Sequence, residues 1–323
     1  MRTHIPTERI LDEAEAAGRC AVGLNDRQRR ALKRRHKAGE LVRPYRNVYA
    51  RAAYWEGLNP IQRHFHVAAA LSVLHPDWVF AGLTAAVIHG LEHGYTLHGG
   101  VTITIASSFP PSNHQYWQLR RIVVGETADD IQYVVVSGVR VTSLERTLVD
   151  CAALFPFQET LGMFDDAMRR GCNVSALPEY ARILHMDSMG LERLCQYADP
   201  LSENGGESLV RALIIILGFV VPRLQYVFRN PSRPNAVYRA DFMWILPDGS
   251  MIVLEFDGMD KYVMQDGLER TTIREKVHAE REREDALRGQ RVRTILRLEA
   301  EDLQDLDRLR RILTEAGVPR NRQ

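Results

Sequence analysis

The sequence predicts a multi-domain α/β protein. Three observations carry that prediction. The 323-residue length exceeds one typical domain. Residues 7–50 give two helical patterns and then a short alternating stretch. The last third runs helix, three strands, helix, strand, helix, and this αβββαβα order is that of a mixed α/β domain. A chain 45% hydrophobic and 26% charged is ordinary globular material, which excludes a disordered or fibrous chain.

"TERILDEAEAAG" reads as a first helix ending at Gly18, and "LNDRQRRALKRRHKAG" as a second. Asn25 or Asp26 suits its N-cap and Gly39 its C-terminal stop. "ELVRPYRNVYA" reads as a short hairpin with Arg46-Asn47 at the turn and Pro44 on an edge strand. Helix, basic helix and hairpin in that order make residues 1–55 a winged helix-turn-helix. Charge points the same way. Residues 1–51 hold thirteen Lys/Arg against six Asp/Glu, a net +7, while the rest of the chain holds 29 against 35, a net −6. A basic head on an acidic body suits a polyanion partner.

The stretch "RQRRALKRRHK" has seven Lys/Arg in eleven residues and no acid. Like charges at i, i+4, such as Arg30 and Arg34, disfavour an isolated helix, and a phosphate backbone relieves that repulsion. Arg27, Arg30, Lys33, Arg34, Arg35 and Lys37 on the helix, with Arg43 and Arg46 on the hairpin, are therefore the candidate contacts to double-stranded DNA. A solvated basic face, or one paired with the acidic body, is the plainer alternative.

Residues 56–200 read as a middle α/β domain. "IQRHFHVAAALSVL" and "LTAAVIHGL" are helical. "VTITIA", "QLRRIVVG" and "IQYVVVSG" are strands, and "SLERTLVDCAAL" opens further helices. The histidines of "HFH" and "HGLEH" lack the HExxH pattern and read as core or surface residues. The four cysteines have no CxxC spacing, so they read as free thiols in a reducing compartment. No leader is expected. The most apolar stretch, "LIIILGFVV", is too short for a bilayer, which needs about 20 residues. The expectation is a cytoplasmic protein with no membrane partner. "YADPLSENGG" is the clearest domain boundary, rich in turn formers.

Residues 201–323 hold the candidate chemistry. In "SMIVLEFD" alternation puts Val253, Glu255 and Asp257 on one face and Ile252, Leu254 and Phe256 on the other. Two carboxylates aimed at one point repel unless a cation or proton intervenes. Mg²⁺ or Mn²⁺, bound by one or two carboxylates with its waters retained, would answer that repulsion. Asp241, in "YRADFMWI", extends the set to a neighbouring strand. Lys261, just past the strand, suits stabilisation of charge on a phosphorane. Glu207 fits either a fourth site member or the N3 residue of a capping box begun by Asn204. The bland reading puts these acids at the wet end of a strand. The hairpin register decides whether Asp241 and Glu255 share a face. A two-residue loop at Asp248-Gly249 pairs Asp241 with Phe256. A three-residue loop, Pro247-Asp248-Gly249, pairs it with Glu255. The sequence favours the longer loop, because Pro247 suits the first corner and Gly249 the left-handed position.

These motifs carry a resemblance. Asp241-Phe242, "VLEFDG", Lys261-Tyr262, "REDALRGQRV" and Arg297 resemble the PD-(D/E)XK nuclease superfamily, in the branch similar to very-short-patch-repair endonucleases. The resemblance covers about residues 205–318. It implies a restriction-endonuclease-like αβββαβ core and Mg²⁺-dependent hydrolysis of DNA phosphodiesters, with metal on Asp241 and Glu255. One position departs from the pattern. A lysine belongs two residues after the strand glutamate, and Asp257 stands there, so Lys261 or Lys276 substitutes or activity is lost. "GELVRPYRNVYA", "LTAAVIHGL" and "VTSLERTLVDCA" resemble the AbiEi-type abortive-infection antitoxins. That resemblance implies DNA-binding autoregulation and a cognate toxin partner, and leaves open a non-catalytic antitoxin or repressor with a relic nuclease fold. A nuclease acting on RNA is a third reading.

Overall fold

The computed structural model of the chain describes residues 5–109, 116–125, 127–229, 237–257, 287 and 289–321. It is mixed α/β and divides into two compact units. One holds Met1–Met163 and Cys172–Gln196, the other Phe164–Gly171 and Tyr197–Gln323. Among the described residues no helix is long and apolar enough to cross a membrane.

The first unit begins with α1 (Ile5–Ala16), β1 (Ala21–Val22), α2 (Asp26–Lys37), β2 (Leu41–Tyr45) and β3 (Val48–Arg51). The three strands form an antiparallel sheet in the order β1-β3-β2. Pro44 lies on the outer strand, where its missing N–H leaves no ladder bond unmade. Asn25 caps α2 by accepting the Gln28 N–H at 3.0 Å. Gly39, at φ +80, turns the chain out of the helix. Asn47 takes a left-handed φ of +61 in the hairpin turn, a conformation its side chain tolerates. Leu11 and Ala14 of α1 pack on Leu32, Leu41 and Tyr49.

The same unit continues through α3 (Ala52–Glu56), α4 (Pro60–Leu74), α5 (Gly82–His89), β4 (Ile103–Ser107), β5 (Leu119–Val123), β6 (Val134–Val136), β7 (Val139–Val141) and α6 (Leu144–Leu154). α7 (Phe157–Arg169) follows, its residues from Phe164 onward belonging to the second unit; α8 (Leu177–Ile183) and α9 (Met189–Tyr197) lie in the first unit up to Gln196. Asn59 and Gln62 close a capping box on α4. β4 and β5 pair in parallel, β6 and β7 antiparallel. Tyr45 and Val48 of the hairpin share one apolar cluster with Val67, Leu71, Phe80, Ile103 and Val141. The basic head and the stretch that follows it are thus packed on common side chains.

The second unit contains α10 (Gly205–Ile216), β8 (Arg223–Arg229), β9 (Val237–Ile245), β10 (Met251–Asp257), β11 (Val292–Glu299) and α11 (Leu306–Glu315). The sheet order is β11-β10-β9-β8, antiparallel except for the parallel β10–β11 pair. Phe242, Trp244, Ile252, Leu254 and Phe256 pack on Val210, Leu213 and Ile214 of α10 and on Leu309 and Leu313 of α11. Met243 and Val253 face the other way, with Val292 and Leu287. The last helix of the expected αβββαβα order is split. A 3₁₀ turn at Ala300–Leu303 precedes α11, because the Asp305 carboxylate accepts the N–H groups of Asp307 and Arg308 and starts a new helix. The helix expected between the third and fourth strands of that order falls almost wholly outside the described residues.

Beneath α10 lies a buried ion pair. Arg211 and Asp165 are each 1% exposed. The guanidinium Nη2 meets both carboxylate oxygens at 2.5 and 2.6 Å. Ser208 and the Asp199 N–H donate to the same carboxylate. Burial raises the Asp165 pKa, and Arg211 opposes that rise.

Candidate functional site

The β9–β10 hairpin sets the geometry. Leu246 N–H donates to the Ser250 carbonyl at 2.8 Å and Gly249 N–H to the Leu246 carbonyl at 2.9 Å. The loop is therefore Pro247-Asp248-Gly249, with Gly249 at φ +78. Asp248 stiffens it by accepting the Ser250 N–H and hydroxyl. The ladder runs from Met251↔Ile245 to Leu254↔Phe242, so the next step sets Glu255 across from Asp241.

At that step the backbone ladder ends and a side chain takes over. The Phe256 N–H donates to Asp241 Oδ2 at 3.0 Å. On the other flank of β9 the pairs Leu224↔Phe242 and Tyr226↔Ala240 place Gln225 opposite Asp241, and Gln225 has φ +49. Non-glycine residues rarely adopt such a backbone inside a strand, and strain of this kind collects at functional sites. Asp241 thus sits where both neighbouring strands depart from regularity.

Glu207 joins this point from α10. Asn204 Oδ1 accepts the Glu207 N–H at 2.9 Å, as an N-cap should. The reciprocal arm differs from a capping box. Glu207 Oε2 accepts the Glu203 N–H and Gln225 Nε2, both at 2.9 Å, and Oε1 accepts Asn204 Nδ2 at 2.7 Å. The side chain therefore caps the helix and reaches the sheet at once. Burial raises its pKa most, the Glu203 N–H lowers it, and the nearby Asp241 charge raises it further. Gly206 lets α10 approach β10, since a Cβ there would stand 2.6 Å from Phe256 Cε1.

Glu255 and Asp257 are half-buried and lie on the Val253 side of β10 by alternation. In the parallel register they are opposite Arg297 and Glu299 of β11. Lys261 and Lys276 lie outside the described residues. Among the described residues no group of three or more His, Cys, Asp or Glu is arranged to hold a metal ion. Glu207 Oε2 accepts two hydrogen bonds and Oε1 one, which leaves Oε1 a lone pair. Two carboxylates in register on adjacent strands still suit one hard cation that keeps its waters.

Gln225 was not among the expected site residues. Its amide N–H₂ holds Glu207, and its Oε1 is a buried acceptor with no hydrogen-bond partner among the described residues. Nothing in "RLQYVFR" marks a left-handed residue. The only available signal was a lone polar amide in a strand.

The basic surface lies in the first unit. Ala31 and Leu32 face inward, while Arg27, Arg30, Lys33, Arg34 and Lys37 are exposed along the outer face of α2. Arg43 and Arg46 are exposed on the hairpin. Arg35 is different. Its guanidinium contacts Glu8 and Glu40, each at 2.6 Å, with only 17% of the side chain exposed. Glu8 also binds Arg51, which bonds to Asp12 and Glu15 as well. Arg35 thus ties α2 to α1, and its charge is already partnered. No family model, curated protein or solved structure matches this chain.

Proposed function

We propose that this chain is a DNA-binding protein with a metal-dependent nuclease centre, hydrolysing phosphodiester bonds of DNA. On this reading residues 1–55 form a winged helix-turn-helix and residues 201–323 a restriction-endonuclease-like core. The observation that carries it is the register that sets Glu255 across from Asp241, with the Asp241 carboxylate at the point where the ladder opens. Asp241 and Glu255 would hold Mg²⁺ or Mn²⁺, with Asp257 in support. The bound ion would polarise the scissile phosphate and lower the pKa of a coordinated water.

The protein's own groups have narrower tasks. Phe256 N–H fixes one oxygen of Asp241 and so orients the other. Gln225 and Asn204 hold Glu207 beside Asp241, where its charge favours a cation. Lys261 would stabilise charge on the phosphate as it becomes five-coordinate. The exposed face of α2 supplies affinity for the duplex through phosphate contacts. Incubating the purified protein with plasmid DNA in Mg²⁺, in Mn²⁺ and in EDTA tests the reading. Metal-dependent nicking supports it.

A second reading keeps the DNA-binding head and removes the chemistry: a repressor or antitoxin that binds a cognate toxin. The observation favouring it is Asp257, which adds an acid where a nuclease of this pattern needs a lysine. Tight operator binding without nicking would select it.

A further inference from the structure

The first unit holds three imidazoles in a row, and a single carbonyl sets the tautomer of all three. His93 Nδ1 lies 2.6 Å from the Leu91 carbonyl oxygen. A carbonyl only accepts, so Nδ1 carries the proton and Nε2 of the neutral ring is an acceptor. His98 Nε2, 2.8 Å away, must donate to it, which leaves His98 Nδ1 as an acceptor. His64 Nδ1, at 3.2 Å, donates there. His64 Nε2 then accepts from the Thr84 hydroxyl at 2.9 Å, whose oxygen accepts the Thr104 N–H at 2.9 Å. Every position is filled, and every ring is neutral.

Proton counting sets the limit of this chain. One added proton fits. The Thr84 hydroxyl can turn, accept from His64 Nε2 and leave the other bonds intact. The same proton can equally reside on His98 or His93 if the tautomers between reverse. A second proton would set two N–H groups head to head at one of the ring–ring contacts. The chain must then open.

The surroundings do not favour the charge. His64 and His93 are buried, and His98 is half-buried on the 3₁₀ turn Tyr95–His98. Thr84 of α5 and Thr104 of β4 are uncharged. His66 of α4 is committed to the Gln62 carbonyl and Tyr54, and His89 of α5 faces the Thr142 carbonyl. Glu92 is exposed, and Glu159 of α7 accepts the Thr96 hydroxyl. Among the described residues no carboxylate is hydrogen-bonded to any of the three rings. Burial first, and the neighbouring rings second, hold His64 down to about 3 and His98 to about 4; burial lowers His93 too.

We infer that His64, His98 and His93 form an acid-operated latch, which fastens the Tyr95–His98 turn to α4 while neutral, shares one added proton along the row, and opens on taking a second. Released rings titrate near the ordinary value of about 6.5. The closed form is therefore fully favoured above that pH and loses ground as pH falls towards 4. Opening that takes up two or three protons shifts by ~10²–10³-fold per pH unit in that window.

Long-range ¹⁵N–¹H spectra at pH 7.5 test the chain directly. The expected pattern is Nδ1–H on His64 and His93 and Nε2–H on His98. Hydrogen exchange of residues 91–99, corrected for intrinsic rates and normalised to α6, should lose at least about 100-fold protection between pH 6 and pH 5. In His98→Gln, whose amide can donate and accept but not titrate, the loss should shrink about tenfold. His93→Gln serves if that variant does not fold. The opposite tautomer on His98, rings that titrate separately near 6.5, or protection that does not change with pH would overturn the latch.

Discussion

Gln225 stands across the β8–β9 ladder from Asp241, and it is the one described strand residue, glycine apart, with a positive φ. That backbone accompanies an amide held on Glu207. The strain and the hydrogen bond can be separated by substitution. Gln225→Gly removes both, whereas Gln225→Ala removes the bond and keeps the strain. A left-handed alanine costs about 1–2 kcal/mol relative to the right-handed form. Gln225→Gly should therefore be the more stable variant by about 1 kcal/mol in urea denaturation. An alanine variant as stable as the glycine variant would show that Gln225 is not strained.

The outer face of α2 should govern salt dependence, and Arg35 should not. Replacing Lys33, Arg34 and Lys37 by Ala should flatten the plot of log K for duplex DNA against log salt by up to about 2.7 if all three meet phosphate. Arg35→Ala should leave the slope nearly unchanged and lower stability instead, since it strips Glu8 and Glu40 of a half-buried partner. The reverse pattern would put Arg35 on the DNA and the exposed lysines elsewhere.

Asp165 and Arg211 should behave as a unit in stability. Arg211→Met leaves a buried carboxylate unpaired and should cost about 3–5 kcal/mol. The double variant Asp165→Leu with Arg211→Met should recover most of that loss, because an apolar pair carries no desolvation penalty. Chemical denaturation of the singles and the double gives the coupling. Additive losses would mean that the ion pair does not hold α10.

Much of this architecture was legible in the sequence. Asn25 and Gly39 bound α2 as their chemistry dictates, and Pro247-Asp248-Gly249 fixed the hairpin register and with it the placing of Glu255 across from Asp241. These are local rules, satisfied within a few residues. What stayed hidden depends on distant partners. Arg35 lies in the same basic run as Arg34, yet it turns to Glu8, which stands 27 positions earlier. His64 pairs with His98 rather than His66, because the turn after α5 folds back onto α4. The αL residue in β8 has no turn chemistry around it, so neither propensity nor periodicity marks Gln225.

In the proposed function Asp241 and Glu255 act together on a metal that cleaves DNA. Plasmid nicking by the wild-type protein, by Glu255→Ala and by Asp241→Asn, each in Mg²⁺, Mn²⁺ and EDTA, tests it most directly. Metal-dependent nicking by the wild type is expected, lost in both variants while circular dichroism and duplex binding stay unchanged. Folded wild-type protein that binds DNA and nicks it with neither metal, or nicking that persists in both variants, would contradict it.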